Sequence, residues 1–201
     1  MNTAIVPGSI AAIAKDTGKS IAESFLNVDL LAIVDVSGSM SMTDAPGGQK
    51  RYNAACQELA ALQSQYPGKI GVIAFSGHAE FVPGGQPAYM GGDTDIVAAL
   101  RCARPADGLG IKIVLLSDGE PNDRAATIAE ARKFKTHIDT VYIGPESESR
   151  GRDFLRELAQ ATGGSHQKTA QPAMLAQPIV ALLEQGKQVE GKAHGFTMRE
   201  S

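Results

Sequence analysis

The chain has 201 residues, of which 43% are hydrophobic and 20% charged, and its formal net charge is −3. This length fits one α/β domain better than two, and the apolar content excludes disordered and fibrous classes. Aromatic residues make up only 5% and no basic stripe is present, so we expect no nucleic-acid partner.

The first 27 residues lack the pattern of a secretory signal. No Lys or Arg precedes the first apolar run, and Lys15 interrupts that run, whereas a signal needs a basic region before an apolar core. No stretch approaches the length of a membrane span. We expect a cytoplasmic protein without a membrane partner, in which Cys56 and Cys102 are reduced and packed.

Apolar runs bounded by turn residues predict the strands of a central sheet. The predicted strands are residues 29–35, 69–75, 80–82, 111–117 and 137–143, with a weak one at 165–169. The three longest runs barely alternate between apolar and polar residues, which is typical of strands covered by helices on both faces.

Amphipathic segments between these strands predict helices. They are residues 51–65, 94–102, 122–134, 152–161 and 172–183. Strands that alternate with helices favour a mainly parallel sheet with right-handed crossovers. We expect residues 1–27 to form a helical extension, residues 28–183 the α/β domain, and residues 184–201 a flexible tail.

Oxygen-bearing side chains lie in three of the predicted loops. Asp35, Ser37 and Ser39 come at and after the end of the first strand, and Asp118 follows the strand at 111–117. Thr94 lies in a glycine turn before a helix. Because ligands of such sheets bind beyond the carboxyl ends of the strands, we expect these five side chains to meet there.

The ligand types in this set indicate a hard cation. Carboxylate and hydroxyl oxygens without His or Cys suit Mg²⁺, and Mn²⁺ or Ca²⁺ as alternatives, rather than Zn²⁺. Five side chains leave an octahedral ion at least one open position, which would attract an acidic side chain of another protein.

Three motifs carry a resemblance to a known family. DVSGSM, GGDTDIVAAL and LLSDGEPND resemble, in order, the three motifs of the metal-ion-dependent adhesion site in von Willebrand factor A-type domains. The resemblance implies a Rossmann-like, doubly wound sheet with one antiparallel edge strand, here residues 80–82. It also implies that Ser37, Ser39 and Thr94 touch the metal, while Asp35 and Asp118 act directly or through water. We expect a compact, stand-alone, prokaryotic-like member.

Several neighbouring residues have competing interpretations. Arg51 could pair with a site carboxylate, but we expect a solvated charge, and we expect Asp95 to cap a helix rather than support the metal. Asp93 either tightens cation binding or faces solvent. The loop at residues 43–50 is either a tolerated insertion or a specificity loop of the metal-side rim.

Three functions fit this site. We expect a non-enzymatic interaction module that captures an Asp or Glu of an unidentified protein through the cation. The alternative is an adaptor subunit of an AAA+ ATPase assembly of the chelatase or MoxR type. A metal-dependent phosphohydrolase is disfavoured, because Ser37 stands where that chemistry needs a second aspartate.

Overall fold

A computed structural model describes residues 5–44, 48–144 and 149–169, which form one sheet with helices on both faces. The strands are β1 (Leu30–Asp35), β2 (Ile70–Phe75), β3 (Ala79–Phe81), β4 (Lys112–Ser117), β5 (Ile138–Ile143) and β6 (His166–Thr169). Their order is β3-β2-β1-β4-β5-β6. All neighbours are parallel except β3, which runs antiparallel to β2 at the edge. The predicted fold class is confirmed, including the antiparallel edge strand.

Four of the described helices fall where the amphipathic segments predict them, three of these with shifted ends, and two more lie in the predicted N-terminal extension. They are α1 (Ile10–Thr17), α2 (Ile21–Phe25), α3 (Arg51–Gln65), α4 (Ile96–Ala103), α5 (Arg124–Ala131) and α6 (Ser149–Thr162). Two short 3₁₀ turns, Gly38–Ser41 and Arg104–Ala106, were not predicted. The predicted helix at 172–183 and the predicted tail at 184–201 lie outside the described residues.

The central strand β1 is buried along its whole length because helices cover both sides of it. Its side chains alternate between two apolar clusters. Leu31 and Ile33 pack with residues of α4, α5 and α6, whereas Leu30, Ala32 and Val34 pack with residues of α3. This two-sided burial is the reason the apolar run does not alternate in sequence.

Serine caps define the two short helices near the N-terminus. Ser9 accepts a hydrogen bond from the backbone of α1, and Ser20 forms a capping box with Glu23 at the start of α2. The backbone NH of Ala11 donates to the carbonyl of Pro83, which fixes α1 beside the β3 edge. Among the described residues, no helix is both long and apolar enough to cross a membrane.

The strand order places a topological switch point at the centre of the sheet. β1 lies between β2 and β4, so the chain winds outward in both directions from β1. Parallel pairing brings the carboxyl ends of β1 and β4 to the same edge, where Asp35 and Ser117 end their strands. A crevice at this edge is the usual ligand position in open α/β sheets.

Candidate metal centre at the switch point

Asp35 is a fully buried carboxylate, with 0% of its surface exposed. The backbone NH of Ser37 donates to its Oδ1 at 2.8 Å, and the Ser117 hydroxyl donates to its Oδ2 at 2.5 Å. The second bond is consistent with the sheet register, because Val34 lies opposite Leu116 and Asp35 and Ser117 are the residues that follow them. The two bonds fix the carboxylate at the strand end.

Burial, and to a smaller extent the nearby Asp118, raise the pKa of Asp35 from its ordinary 3.8 to about 6. The hydrogen bonds from Ser117 and Ser37 oppose this rise. Desolvation therefore outweighs hydrogen bonding at this carboxyl, as expected where the charged form loses water. A cation bound beside Asp35 would stabilise its charged form.

Ser37 and Ser39 flank Gly38 at the start of the 3₁₀ turn that follows β1. Their hydroxyl oxygens are 3.3 Å apart, so both face the same region. The Ser39 hydroxyl donates to Oδ1 of Asp118 at 2.6 Å, across 79 positions of sequence. Because Asp118 takes the hydroxyl hydrogen, the lone pairs of the Ser39 oxygen can point towards a cation.

Thr94 reaches the same edge through a glycine turn. Gly91 and Gly92 have φ of 67° and 78°, a left-handed conformation that glycine adopts without steric cost. The carbonyl of Gly92 accepts from the NH of Gly38 at 3.1 Å, which joins this turn to the β1 loop. Asn122 holds Thr94 from the other side, because its side-chain oxygen accepts from the Thr94 NH at 3.1 Å.

Gly119 shows that the hydroxyls of Thr94 and Ser39 approach one spot. A Cβ atom at Gly119 would lie 3.7 Å from both Oγ of Ser39 and Oγ1 of Thr94. The structure thus places all five predicted residues around one edge of the sheet. Their binding of a metal stays a prediction.

Asp118 accepts hydrogen bonds from Ser39 and Arg51, and the second of these partners corrects a sequence expectation. Arg51 Nη1 donates to Oδ2 of Asp118 at 2.7 Å, and the Arg51 side chain is only 2% exposed. The expectation of a solvated charge at Arg51 is therefore wrong. Arg51 is the first residue of α3 and is buried there, which its polar flanking sequence did not indicate.

Some of the surrounding residues make hydrogen bonds that hold the site or its helices, and others face solvent. Asp95 caps α4 by accepting from the NH of Ala98 at 2.9 Å, as predicted. Asp93 is exposed. Sequence reasoning missed two supporting residues, Ser117, which donates to Asp35, and Asn122, which accepts from Thr94. The strand register could have indicated Ser117, and the short distance in sequence from Asp118 could have indicated Asn122.

Other metal chemistries have no comparable site in the described residues. No group of three or more His, Cys, Asp or Glu side chains could hold an ion there. Cys56 and Cys102 are both free, the first buried and the second half-buried. The hydroxyl-rich set at the switch point is therefore the candidate metal centre.

A doubly wound sheet with these loops at its switch point defines a von Willebrand factor A-like fold, and solved structures agree. BatB from Bacteroides thetaiotaomicron superposes with a TM-score of 0.61 at 16% identity, over 80% of this chain and 99% of that one. Manganese-loaded TRAP protein from Plasmodium vivax gives 0.55 at 16% identity, over 81% and 74%. At such identities the likeness establishes the fold.

Sequence relatives cover a smaller part of longer proteins. Calcium-activated chloride channel regulator 1 of Sus scrofa is 33% identical over 156 residues, which is 66% of this chain and 16% of that protein. Its counterpart in Equus caballus is 30% identical over 153 residues, with the same shares. The chain thus spans about one sixth of the length of these relatives. No family model matches the chain.

Proposed function

We propose that this domain binds a divalent cation at the switch point and uses it to capture an acidic side chain of a protein partner. The convergence of two carboxylates and three hydroxyls on one sheet edge is the observation that carries the proposal. Asp35, Ser37, Ser39, Thr94 and Asp118 would hold the ion. Bound there, the cation would supply an electrophilic position for an anionic oxygen ligand.

The hydrogen bonds within the site support this assignment. Each oxygen of Asp35 accepts one described bond, and a carboxylate oxygen has capacity for a further partner. Ser39 donates its hydroxyl hydrogen to Asp118, so its oxygen is oriented as an acceptor. The chain therefore prearranges oxygen lone pairs, which lowers the cost of ordering them around an ion.

Mg²⁺ is the ion that we propose first, because it prefers oxygen ligands in octahedral geometry. Mn²⁺ prefers similar ligands, and the similarly folded TRAP protein is described as manganese-loaded. The relatives named calcium-activated chloride channel regulators keep Ca²⁺ in consideration. A competition titration with the three ions would rank them.

We propose binding rather than catalysis at this site. A phosphohydrolase of the aspartate-nucleophile type needs a second aspartate two residues after the first, and Ser37 stands at that position after Asp35. An adaptor role beside an ATPase would use the same metal site and differ in the partner. The cytoplasmic location expected from the sequence stays a prediction.

Calorimetric titration of Mn²⁺ tests the metal site, since Mn²⁺ dehydrates more readily than Mg²⁺. Ser39→Ala removes one candidate ligand, and we expect affinity to fall about 10- to 100-fold, the range seen for residues that support metal sites. Ser41→Ala is the matched control, because the Ser41 hydroxyl donates to the carbonyl of Gly38 and not to the candidate ligands.

The result for these variants decides between a metal site and a hydrogen-bonded turn. Equal Mn²⁺ affinity in Ser39→Ala and the wild type would contradict the assignment. The capture step is tested with acetate as a minimal analogue of an Asp or Glu side chain. Acetate should bind the Mn²⁺-loaded protein, and its binding should vanish in excess EDTA. Acetate binding that persists in EDTA would refute capture through the cation.

A further inference from the structure

Arg51 is a buried cation that two carboxylates share. Its Nε and Nη2 donate to the two oxygens of Asp44 at 2.7 and 2.5 Å, and its Nη1 donates to Asp118 at 2.7 Å. The Asp118 side chain is 0% exposed, whereas that of Asp44 is 45% exposed. One guanidinium group thus connects a carboxylate that faces solvent with a carboxylate of the candidate metal centre.

The charge of Arg51 bears directly on what the metal centre can hold. A buried positive charge beside Asp118 opposes a divalent cation and favours an anion, and the interaction is stronger than it would be in bulk water. Asp44 offsets this charge from the solvent side through a two-bond, charge-assisted pair. The guanidinium of Arg51 also lowers the pKa of Asp44, so that this carboxylate is ionised at neutral pH.

We propose that Asp44 sets the balance between cation binding and anion binding at the metal centre. By offsetting Arg51, Asp44 strengthens cation binding and weakens the binding of an acidic ligand to the bound cation. This inference rests on the proposed function, because it requires Asp118 to help hold a cation. It also gives Asp44 a role in specificity, since a partner that drew Asp44 away from Arg51 would strengthen its own acidic contact.

A purely structural role for Asp44 makes a different prediction. If Asp44 only held Arg51 and the loop in place, its loss would loosen the site and weaken every ligand. An electrostatic role instead changes cation and anion affinities in opposite directions. Asp44→Asn separates the two roles, because it removes the charge and keeps the shape of a half-exposed side chain.

The test measures two affinities in the wild type and in Asp44→Asn. Mn²⁺ affinity is measured by calorimetry, and acetate affinity for the Mn²⁺-loaded protein is followed by water-proton relaxation. Removing one negative charge near the ion should weaken Mn²⁺ binding about tenfold, by a Coulomb estimate in a partly screened site. Acetate carries one charge instead of two, so it should bind about threefold more tightly.

Asp29→Asn is the matched control for the loss of one negative charge. Asp29 lies before β1, at the opposite end of that strand, pairs with Lys69 at 3.2 Å and is 48% exposed. We expect its variant to match the wild type in both titrations. Circular dichroism and thermal melts of all the proteins establish that each is folded.

Each outcome has a distinct meaning. The inference is supported if Asp44→Asn binds Mn²⁺ more weakly and acetate more tightly than the wild type, and if Asp29→Asn shows neither change. If both affinities were unchanged in Asp44→Asn, or if both were weakened, the inference about Asp44 would be overturned. Mn²⁺ binding by the wild type would still support the metal centre. A folded wild type that binds no Mn²⁺ would overturn the proposed function and, with it, this inference.

Discussion

Replacing Asp35 with Asn should make the metal-free protein more stable while abolishing its response to metal. The Asp35 carboxyl is fully buried and its pKa is raised from 3.8 to about 6. A rise of about two units corresponds to about 3 kcal/mol of unfolding free energy lost when the carboxyl ionises. Asn keeps an acceptor for the Ser37 NH and carries no charge, so the variant avoids this cost.

The pH dependence follows from the direction of the shift. Between about pH 4 and pH 6 the folded protein holds a proton on Asp35 that the unfolded chain has released, so this group stabilises the fold as the pH falls. The advantage of Asp35→Asn over the wild type should be about 3 kcal/mol at pH 7 and close to zero at pH 4.

Urea denaturation in excess EDTA at several pH values measures this difference, because both proteins then lack metal. Adding Mn²⁺ at about one hundred times its dissociation constant should stabilise the wild type by about 2.7 kcal/mol and leave the variant unchanged. If Asp35→Asn were less stable than the wild type at pH 7 in EDTA, the reasoning from desolvation would be refuted.

Two further predictions concern the packing around the site and the edge of the sheet. A Cβ at Gly151 would lie 3.1 to 3.3 Å from backbone atoms of Asp118 and Gly119, so Gly151→Ala should displace that loop and weaken Mn²⁺ binding, whereas Gly77→Ala, with open space around it, should not. The overpacking in Gly151→Ala should cost about 1 to 3 kcal/mol of stability, which exceeds the gain of about 1 kcal/mol from replacing Gly by Ala within α6. A variant that is more stable than the wild type and has wild-type Mn²⁺ affinity would contradict this. Burial lowers the pKa of His166 from 6.5 to about 4, so the unfolded chain gains its proton first and stability falls as the pH drops through this window. Urea denaturation of His166→Gln at pH 6.5 and 4.5 should show a smaller fall in the free energy of unfolding than the wild type shows. An equal fall would refute the lowered pKa of His166.

Much of the fold could be predicted from local sequence, because its long strands are continuous apolar runs and most of its helices are amphipathic segments. The apolar runs located the long strands to within one residue at their first ends, and α3 was predicted with the bounds it has, Arg51–Gln65. Both clusters of the core follow from alternation within β1, where successive side chains point to opposite faces. The ends of α5 and α6 were less accurate, because helix ends depend on capping contacts.

The five candidate ligands could also be predicted, since each is adjacent to a strand end or a glycine turn. Their residue types specify a hard cation in any fold that brings them together. Sequence alone therefore determined which side chains meet at one edge of the parallel sheet, and the hard cation that they indicate stays a prediction.

The tertiary structure decided the charge around that site. Arg51 has a polar local context that predicts exposure, yet α3 begins where its guanidinium reaches Asp118 and Asp44, 67 and 7 positions away in sequence. Likewise, only the pairing of β1 with β4 brings the Ser117 hydroxyl to Asp35. Such contacts join residues distant in sequence, and no local periodicity encodes them, so burial and pKa at this site emerge only when the sheet assembles.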